Sequence, residues 1–328
     1  MASVILTHLG ESIPLYIKDC VHQLRLWNKT TPIYIILEPF HKQKTFWQDL
    51  YLQYNVIYVY TDTLEPTAHH KEFQRGYSGD TAFRKGYWKH VRERFFFVEE
   101  LMFRESLKDV ISMEYDIMVY YSLEDLKKKF QQSHQTIRMV MDNASRGHPG
   151  FMYIPSSLEM RNFTMFMTCL LGLHYEDMQS LSLYSRIFEV HYLPVITEER
   201  NRANPNRRSQ VGDKSKDPFF LSEDSEHFGC VFDSLVVGQF LGGIDPRNTG
   251  GHKYVHYENE GALYRIREMD FQWKKDTILG LWQPWLDNRP LVTIHMHSKA
   301  LNCFLSDRID CPSPDYQVDS LYRSLLPN

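Results

Sequence analysis

Apolar residues recur along the first 120 positions in short continuous blocks, separated by longer stretches with the spacing of an amphipathic helix. This rhythm predicts alternating strands and helices. Residues 4–8 read as a strand, followed by a helix that Ser12 would cap, with Pro14 tolerated in its first turn and Leu15, Val21, Leu24 and Trp27 among its apolar positions. Residues 32–38 and 56–61 are further strands, with a helical stretch around Trp47, Leu50 and Tyr54 between them. After a polar stretch over 62–86, residues 87–100 read as a long helix feeding a strand that ends at Glu114. Near-continuous apolar strands between helices require cover on both faces, which is the signature of a mainly parallel sheet. Ser122 caps the next helix, 137–141 and 150–154 are strands, and Ser156-Ser157-Leu158-Glu159 is a capping box opening a helix to about Leu171. The expected fold class is therefore α/β: one domain over 1–305, divided near 120, with a mainly parallel twisted sheet flanked by helices, C-terminal β-hairpins and a tail over 306–328.

Composition narrows the function classes. A net charge of −4 and the absence of a basic stripe argue against nucleic acid and anionic membrane surfaces as partners. The five cysteines, Cys20, Cys169, Cys230, Cys303 and Cys311, are scattered and never paired as C-x-x-C, so they encode neither a zinc knuckle nor a disulfide framework. No apolar run reaches the ~20 residues needed to cross a bilayer, and the start of the chain lacks a signal-like apolar region. A reducing, cytoplasmic setting is the expectation. Segment 198–217 contains Arg200, Arg202, Arg207, Arg208, Lys214 and Lys216 and almost nothing apolar. It reads as a long loop, of the kind that is a lid, a binding loop or a disordered segment.

The most informative chemistry lies in Glu114-Tyr115-Asp116, at the end of an apolar strand. Residues i and i+2 of a strand point to one side, so the two carboxylates would face one site with Tyr115 turned inward. Hard divalent cations take such oxygen ligands and leave positions open for phosphate oxygens.

In order and spacing, the chain resembles GT-A fold glycosyltransferases over residues 3–300. The Arg-bearing helix around Arg94 precedes the acidic motif; Asp142 follows about one strand later; His148-Pro149-Gly150 resembles the short turn before an acceptor-side strand; Asp233 lies in an apolar helical stretch; and His295-Met296-His297-Ser298-Lys299 resembles the C-terminal histidine and lysine. Glu114 stands where Asp is commoner, and His148 where Asn is commoner. The resemblance implies Mn²⁺ or Mg²⁺ held by Glu114, Asp116 and His297, the histidine nearer Lys299. It implies a nucleoside-diphosphate sugar bound by Thr7, His8, Arg94, Glu114, Tyr115 and Lys299, the donor sugar and acceptor near His148 and Gly150, and Asp233 and Asp142 as catalytic carboxylates. Residues 1–120 would then be the nucleotide-binding half and 121–305 the acceptor half.

The implied activity is transfer of a hexosyl or pentosyl group to a glycan or another hydroxyl acceptor. A nucleotidyltransferase acting on a sugar phosphate and an inactive carbohydrate-binding protein of the same fold are the alternatives. The glycine-rich stretch 239–251 lacks the flanking strand and helix of a phosphate loop and reads as an acceptor-side loop. Trp273, Trp282 and Trp285 would stack on sugar rings or pack the C-terminal hairpins.

Overall fold

The computed structural model describes residues 2–197, 199–200, 222–248, 250–253, 256–259 and 261–308. In chain order the regular elements are β1 (Ser3–His8), α1 (Ile17–Trp27), β2 (Ile33–Leu37), α2 (Thr45–Tyr54), β3 (Ile57–Tyr60), α3 (Ala68–Gly76), α4 (Tyr87–Arg104), β4 (Val110–Met113), β5 (Ile117–Val119), α5 (Leu123–Gln131), β6 (Arg138–Asn143), β7 (Arg146–Ile154), α6 (Ser157–Cys169), α7 (Asp177–Ile187), β8 (His191–Tyr192), α8 (Ser225–Phe228), α9 (Val236–Gly242), β9 (Phe271–Lys275), β10 (Trp282–Leu286), β11 (Arg289–Pro290) and β12 (Thr293–His295).

The central seven-stranded sheet runs β3-β2-β1-β4-β7-β6-β8. Strands β3, β2, β1 and β4 are parallel, β7 pairs antiparallel with β4 and β6, and β8 is parallel to β6. Val4, Ile5, Leu6, Ile33, Ile35, Ile36 and Leu37 are fully buried, as expected for strands sandwiched between helical layers. Two smaller antiparallel sheets, β11-β10-β9 and β12-β5, carry the C-terminal part. The α/β class, the mainly parallel sheet and the C-terminal antiparallel strands are thus as the sequence predicts.

Several local expectations are overturned. Helix α1 begins at Ile17, whose N–H donates to Pro14 O, and Ser12 does not cap it. The polar stretch 62–86 contains α3, capped by Thr67, whose hydroxyl accepts the His70 N–H. Its inward face carries only Phe73 and His70, the latter held between Glu100 and Glu93, so no apolar stripe shows in the sequence. His148-Pro149-Gly150 lies inside β7 rather than in a turn before it. The β6–β7 register jumps between Met139↔Met152 and Val140↔His148, an irregularity that tolerates a proline without a ladder N–H. The serines Ser122 and Ser156 do cap α5 and α6. Of the expected lid segment 198–217, all but Glu199 and Arg200 falls outside the described residues.

Candidate active site

The chain leaves β1 for β2 on one side of the sheet and later returns to β4 on the other. Such a reversal opens a crevice outside the carboxyl ends of the two strands, the usual place for a ligand in an open α/β sheet. Half-buried Thr7 and buried His8 end β1, and Glu114-Tyr115-Asp116 follows β4. Glu114 N–H still donates to Gly150 O, after which the chain turns, Ile117 N–H donating to Glu114 O. The acidic triplet therefore occupies the turn between β4 and β5, not a strand end.

A long-range pairing completes the site. Antiparallel β12 sets His295 opposite Ile117, and Met296 N–H donates to Asp116 O. Asp116 accepts hydrogen bonds from His295 Nε2 at 3.0 Å and from the Lys299 ammonium. Burial pushes its carboxyl up, but His295 and Lys299 outweigh that and hold it well below the usual range. On its other side, His295 Nδ1 faces His148 Nε2 at 3.0 Å. Burial and the neighbouring His295 push the His148 imidazole down to about 3, so it is neutral. Gly150 makes room for that ring, because a Cβ there would stand 2.2 Å from His148 Cε1.

Arg94 bridges two acids, donating from Nη1 to Glu114 at 2.5 Å and from Nη2 to Asp177 at 2.7 Å. Burial raises the Glu114 carboxyl, and Arg94 together with His148 and His295 more than reverses it. Tyr115 directs its hydroxyl to His8 Nδ1 at 3.3 Å. His297, expected as a metal ligand, is turned instead to the Asp245 N–H, which donates to its Nδ1 at 3.1 Å. Thus His295, not His297, lies against Asp116.

The two expected catalytic carboxylates differ. Asp142 on β6 is fully buried, with weak contacts to Asn259, Asn143 and Arg146 at 3.3, 3.4 and 3.5 Å. Desolvation raises its carboxyl to about 6, with nearby Asp233 adding to the shift. Asp233 precedes α9 rather than sitting on it, and accepts the backbone N–H groups of Val237, Gly238 and His295 at 2.9, 2.9 and 3.0 Å. That is the geometry of a cap that also ties α9 to β12.

Glu114, His148 and His295 offer ligand atoms within 4.8 Å of one another, and Asp116 adjoins them. Opposite ligands around an ion with bonds of ~2.2 Å stand roughly 4.4 Å apart, so Glu114, His148 and His295 fit one cation with small adjustments, and Asp116, against the other nitrogen of His295, joins them by a side-chain turn. Oxygen ligands suit Mg²⁺ and imidazole suits later metals, and the mixed set fits Mn²⁺. Sequence reasoning missed His295 as the nearer histidine, Asp177 as the second partner of Arg94, and Arg247, which pairs with Asp245 near Tyr16 and Tyr87. Alternation along a strand gives His295 and His297 the same side, so only the β5–β12 register could choose between them.

No family model matches the chain, and no curated protein matches it. Among solved structures it is similar to the apo form of mouse xyloside xylosyltransferase 1, at 12% identity and a TM-score of 0.42, covering 64% of this chain and 92% of that one. It is similar to the galactosyltransferase LgtC in complex with donor and acceptor sugar analogues, at 11% and 0.42, covering 65% and 81%. The glycosyltransferase GlyE of Streptococcus pneumoniae TIGR4 follows at 10% and 0.36, covering 58% and 45%. Likeness at this level is partial agreement in chain course, and the functional reading rests on the site itself. Among the described residues, no helix is long and apolar enough to cross a membrane.

Proposed function

We propose that the chain is a metal-dependent glycosyltransferase that moves a sugar from a nucleoside-diphosphate sugar to a hydroxyl acceptor such as a glycan. The observation that carries this reading is the meeting of Glu114, Asp116, His148, His295 and Lys299 in the crevice where the sheet order reverses. Carboxylates, imidazoles and an ammonium in one crevice suit a dianionic leaving group better than a neutral ligand.

Glu114, Asp116 and His295, with His148, would hold Mn²⁺ or Mg²⁺. That ion would supply Lewis-acid neutralisation of the diphosphate. The protein's own residues do the rest. The Lys299 ammonium can move from Asp116 to a diphosphate oxygen, where it offsets charge as the anomeric C–O bond breaks and its electron pair passes to the leaving oxygen. The half-buried ion pair with Arg94 fixes Glu114 in one orientation, with Asp177 fixing Arg94 in turn.

Asp142 is the better candidate for accepting the acceptor's hydroxyl proton as the new C–O bond forms. A base works best with a pKa near the working pH, and Asp142 stands at about 6 with only long contacts to its oxygens. Asp233 fits the role less well, since three backbone donors already fill it.

A thermal-shift screen of nucleoside diphosphates and nucleotide-sugars, with and without Mn²⁺, tests the donor and metal together. A metal-dependent rise with one nucleotide is expected. Incubation with that nucleotide-sugar should then release the nucleoside diphosphate. Release of pyrophosphate from a nucleoside triphosphate and a sugar phosphate, with no transfer from the nucleotide-sugar, would instead identify a nucleotidyltransferase.

A further inference from the structure

A second histidine–carboxylate cluster lies beside β8, the last strand of the main sheet among the described residues, on the far side of β7 and β6 from the β4 crevice. Strand β8 ends the sheet and has only two residues, held through His191 N–H to Ile137 O and Leu193 N–H to Met139 O. Beside it, Glu189 Oε1 stands 3.6 Å from His134 Nδ1 and 3.7 Å from His191 Nε2. These separations are too long for hydrogen bonds. They are slightly longer than the roughly 3.3–3.5 Å between neighbouring ligands of a tetrahedral ion with bonds of ~2.0–2.1 Å, a gap that a turn of the exposed His134 ring closes.

The orientation of His191 is a separate observation pointing the same way. Its Nδ1 lies 3.1 Å from Glu223 Oε2, an oxygen that also accepts the Tyr192 backbone N–H at 3.4 Å. A carboxylate only accepts, so Nδ1 carries the proton and the Nε2 lone pair points toward Glu189. Carboxylate-backed imidazoles of this kind are the regular companions of bound metal, because the backing fixes the tautomer and raises ligand basicity.

We propose that His134, Glu189 and His191 form a second cation site, of the Zn²⁺ class, with Glu223 orienting His191. Two imidazoles and one carboxylate suit Zn²⁺ and leave a fourth position for water. The His134 and His191 rings stack at 4.0 Å and 11°. Parallel planes cannot both contain one ion, so coordination turns the His134 ring, 59% exposed, out of the stack. The bound ion would tie the segment entering β6 to β8, pinning a strand only two residues long.

The site is tested by Zn²⁺ titration of the full chain, free of any histidine tag, using calorimetry and thermal unfolding, with no reference to transfer activity. Wild type and His148→Ala, which disables the crevice cluster, should both bind Zn²⁺ and melt at higher temperature with it. His134→Ala changes an exposed side chain and should fold normally, yet lose that binding equivalent by at least a hundredfold in affinity. Glu223→Gln should weaken it about 10–100-fold. Equal Zn²⁺ stoichiometry and equal thermal shifts in wild type and His134→Ala would overturn the proposal, as would loss of all Zn²⁺ binding in His148→Ala.

Discussion

Asp116 and Asp233 are both buried, at 6% and 2% exposure, and both touch His295, yet they are neutralised by different means. Asp116 accepts from the His295 side chain and the Lys299 ammonium, groups that can swing away. Asp233 accepts from the His295 backbone and from two N–H groups at the start of α9, which cannot leave without unwinding the helix. Burial lifts the Asp233 carboxyl despite these donors, whereas the cations beside Asp116 depress it. What satisfies a buried carboxylate thus decides its use. Mobile side-chain partners leave it exchangeable for a ligand, and backbone partners make it scaffold.

The comparison fails first if Asp116→Ala remains active. Loss of a group holding both metal and lysine should remove several kcal/mol of transition-state stabilisation, about 10³-fold or more in turnover. A rate within a few-fold of wild type would remove Asp116 from the reaction. The carboxyl's depressed pKa also carries a stability signature. Its contribution is present above the ordinary carboxylate range and is lost only as the pH falls through the depressed folded value. Acid unfolding of Asp116→Ala should therefore begin from a lower plateau, without that strongly acidic transition.

Asp142 sharpens the contrast, being buried with neither kind of strong partner. Asp142→Asn should lower transfer by about 10²-fold with donor affinity little changed. Its folded carboxyl stands at about 6 against an ordinary 3.8, so the native state holds a proton that the unfolded chain has released between those values. Stability from this group declines as the pH rises through that window, and the charged form costs up to about 3 kcal/mol at neutral pH. The asparagine variant should consequently unfold at higher urea than wild type at pH 7 and gain nothing at pH 4. Equal stability at pH 7 would show that the carboxylate is not strained by burial.

Next in size is the scaffold itself. Helix α9 runs so close to β12 that a Cβ on Gly238 would stand 1.8 Å from His295 O. Gly238→Ala must move one of the two, at a cost of about 3 kcal/mol, the upper part of the overpacking range. Asp233→Asn should cost about 1–3 kcal/mol, since its amide group would face backbone donors that now meet an oxygen. If Asp233→Asn leaves urea unfolding unchanged but cuts the rate 10²-fold, the residue is a base after all and the scaffold reading is wrong.

The same distinction explains what could be read in advance. Strands β1, β2 and β4 announce themselves because burial on both faces demands unbroken apolar runs, and Ser122 and Ser156 are capping signals written locally. Helix α3 stayed hidden because its buried face carries one large apolar residue, Phe73, beside His70, whose ion pairs take the place of a second. Asp233 looked helical because nothing local shows that Leu235 turns to a φ of 78° before α9 starts. The carboxylates of the crevice were legible, being adjacent in sequence. Their histidine was not, since His295 reaches Asp116 only through the β5–β12 register, across 179 positions.

The smallest expected effect concerns Lys299, which stands on Asp116 where a metal ion would also compete. An ammonium that must leave before a divalent ion can use that oxygen lowers the site's metal affinity in the absence of nucleotide. When a diphosphate arrives it offers the lysine a better partner and frees the carboxylate. Lys299→Gln should therefore bind Mn²⁺ alone a few-fold more tightly than wild type, while the gain in Mn²⁺ affinity on adding nucleoside diphosphate shrinks, because the lysine no longer links the two. Calorimetric titration of Mn²⁺ with and without the nucleotide reads both changes. If the variant binds Mn²⁺ alone more weakly, Lys299 supports the metal site rather than competing for it, and Asp116 is less exchangeable than its side-chain partners imply.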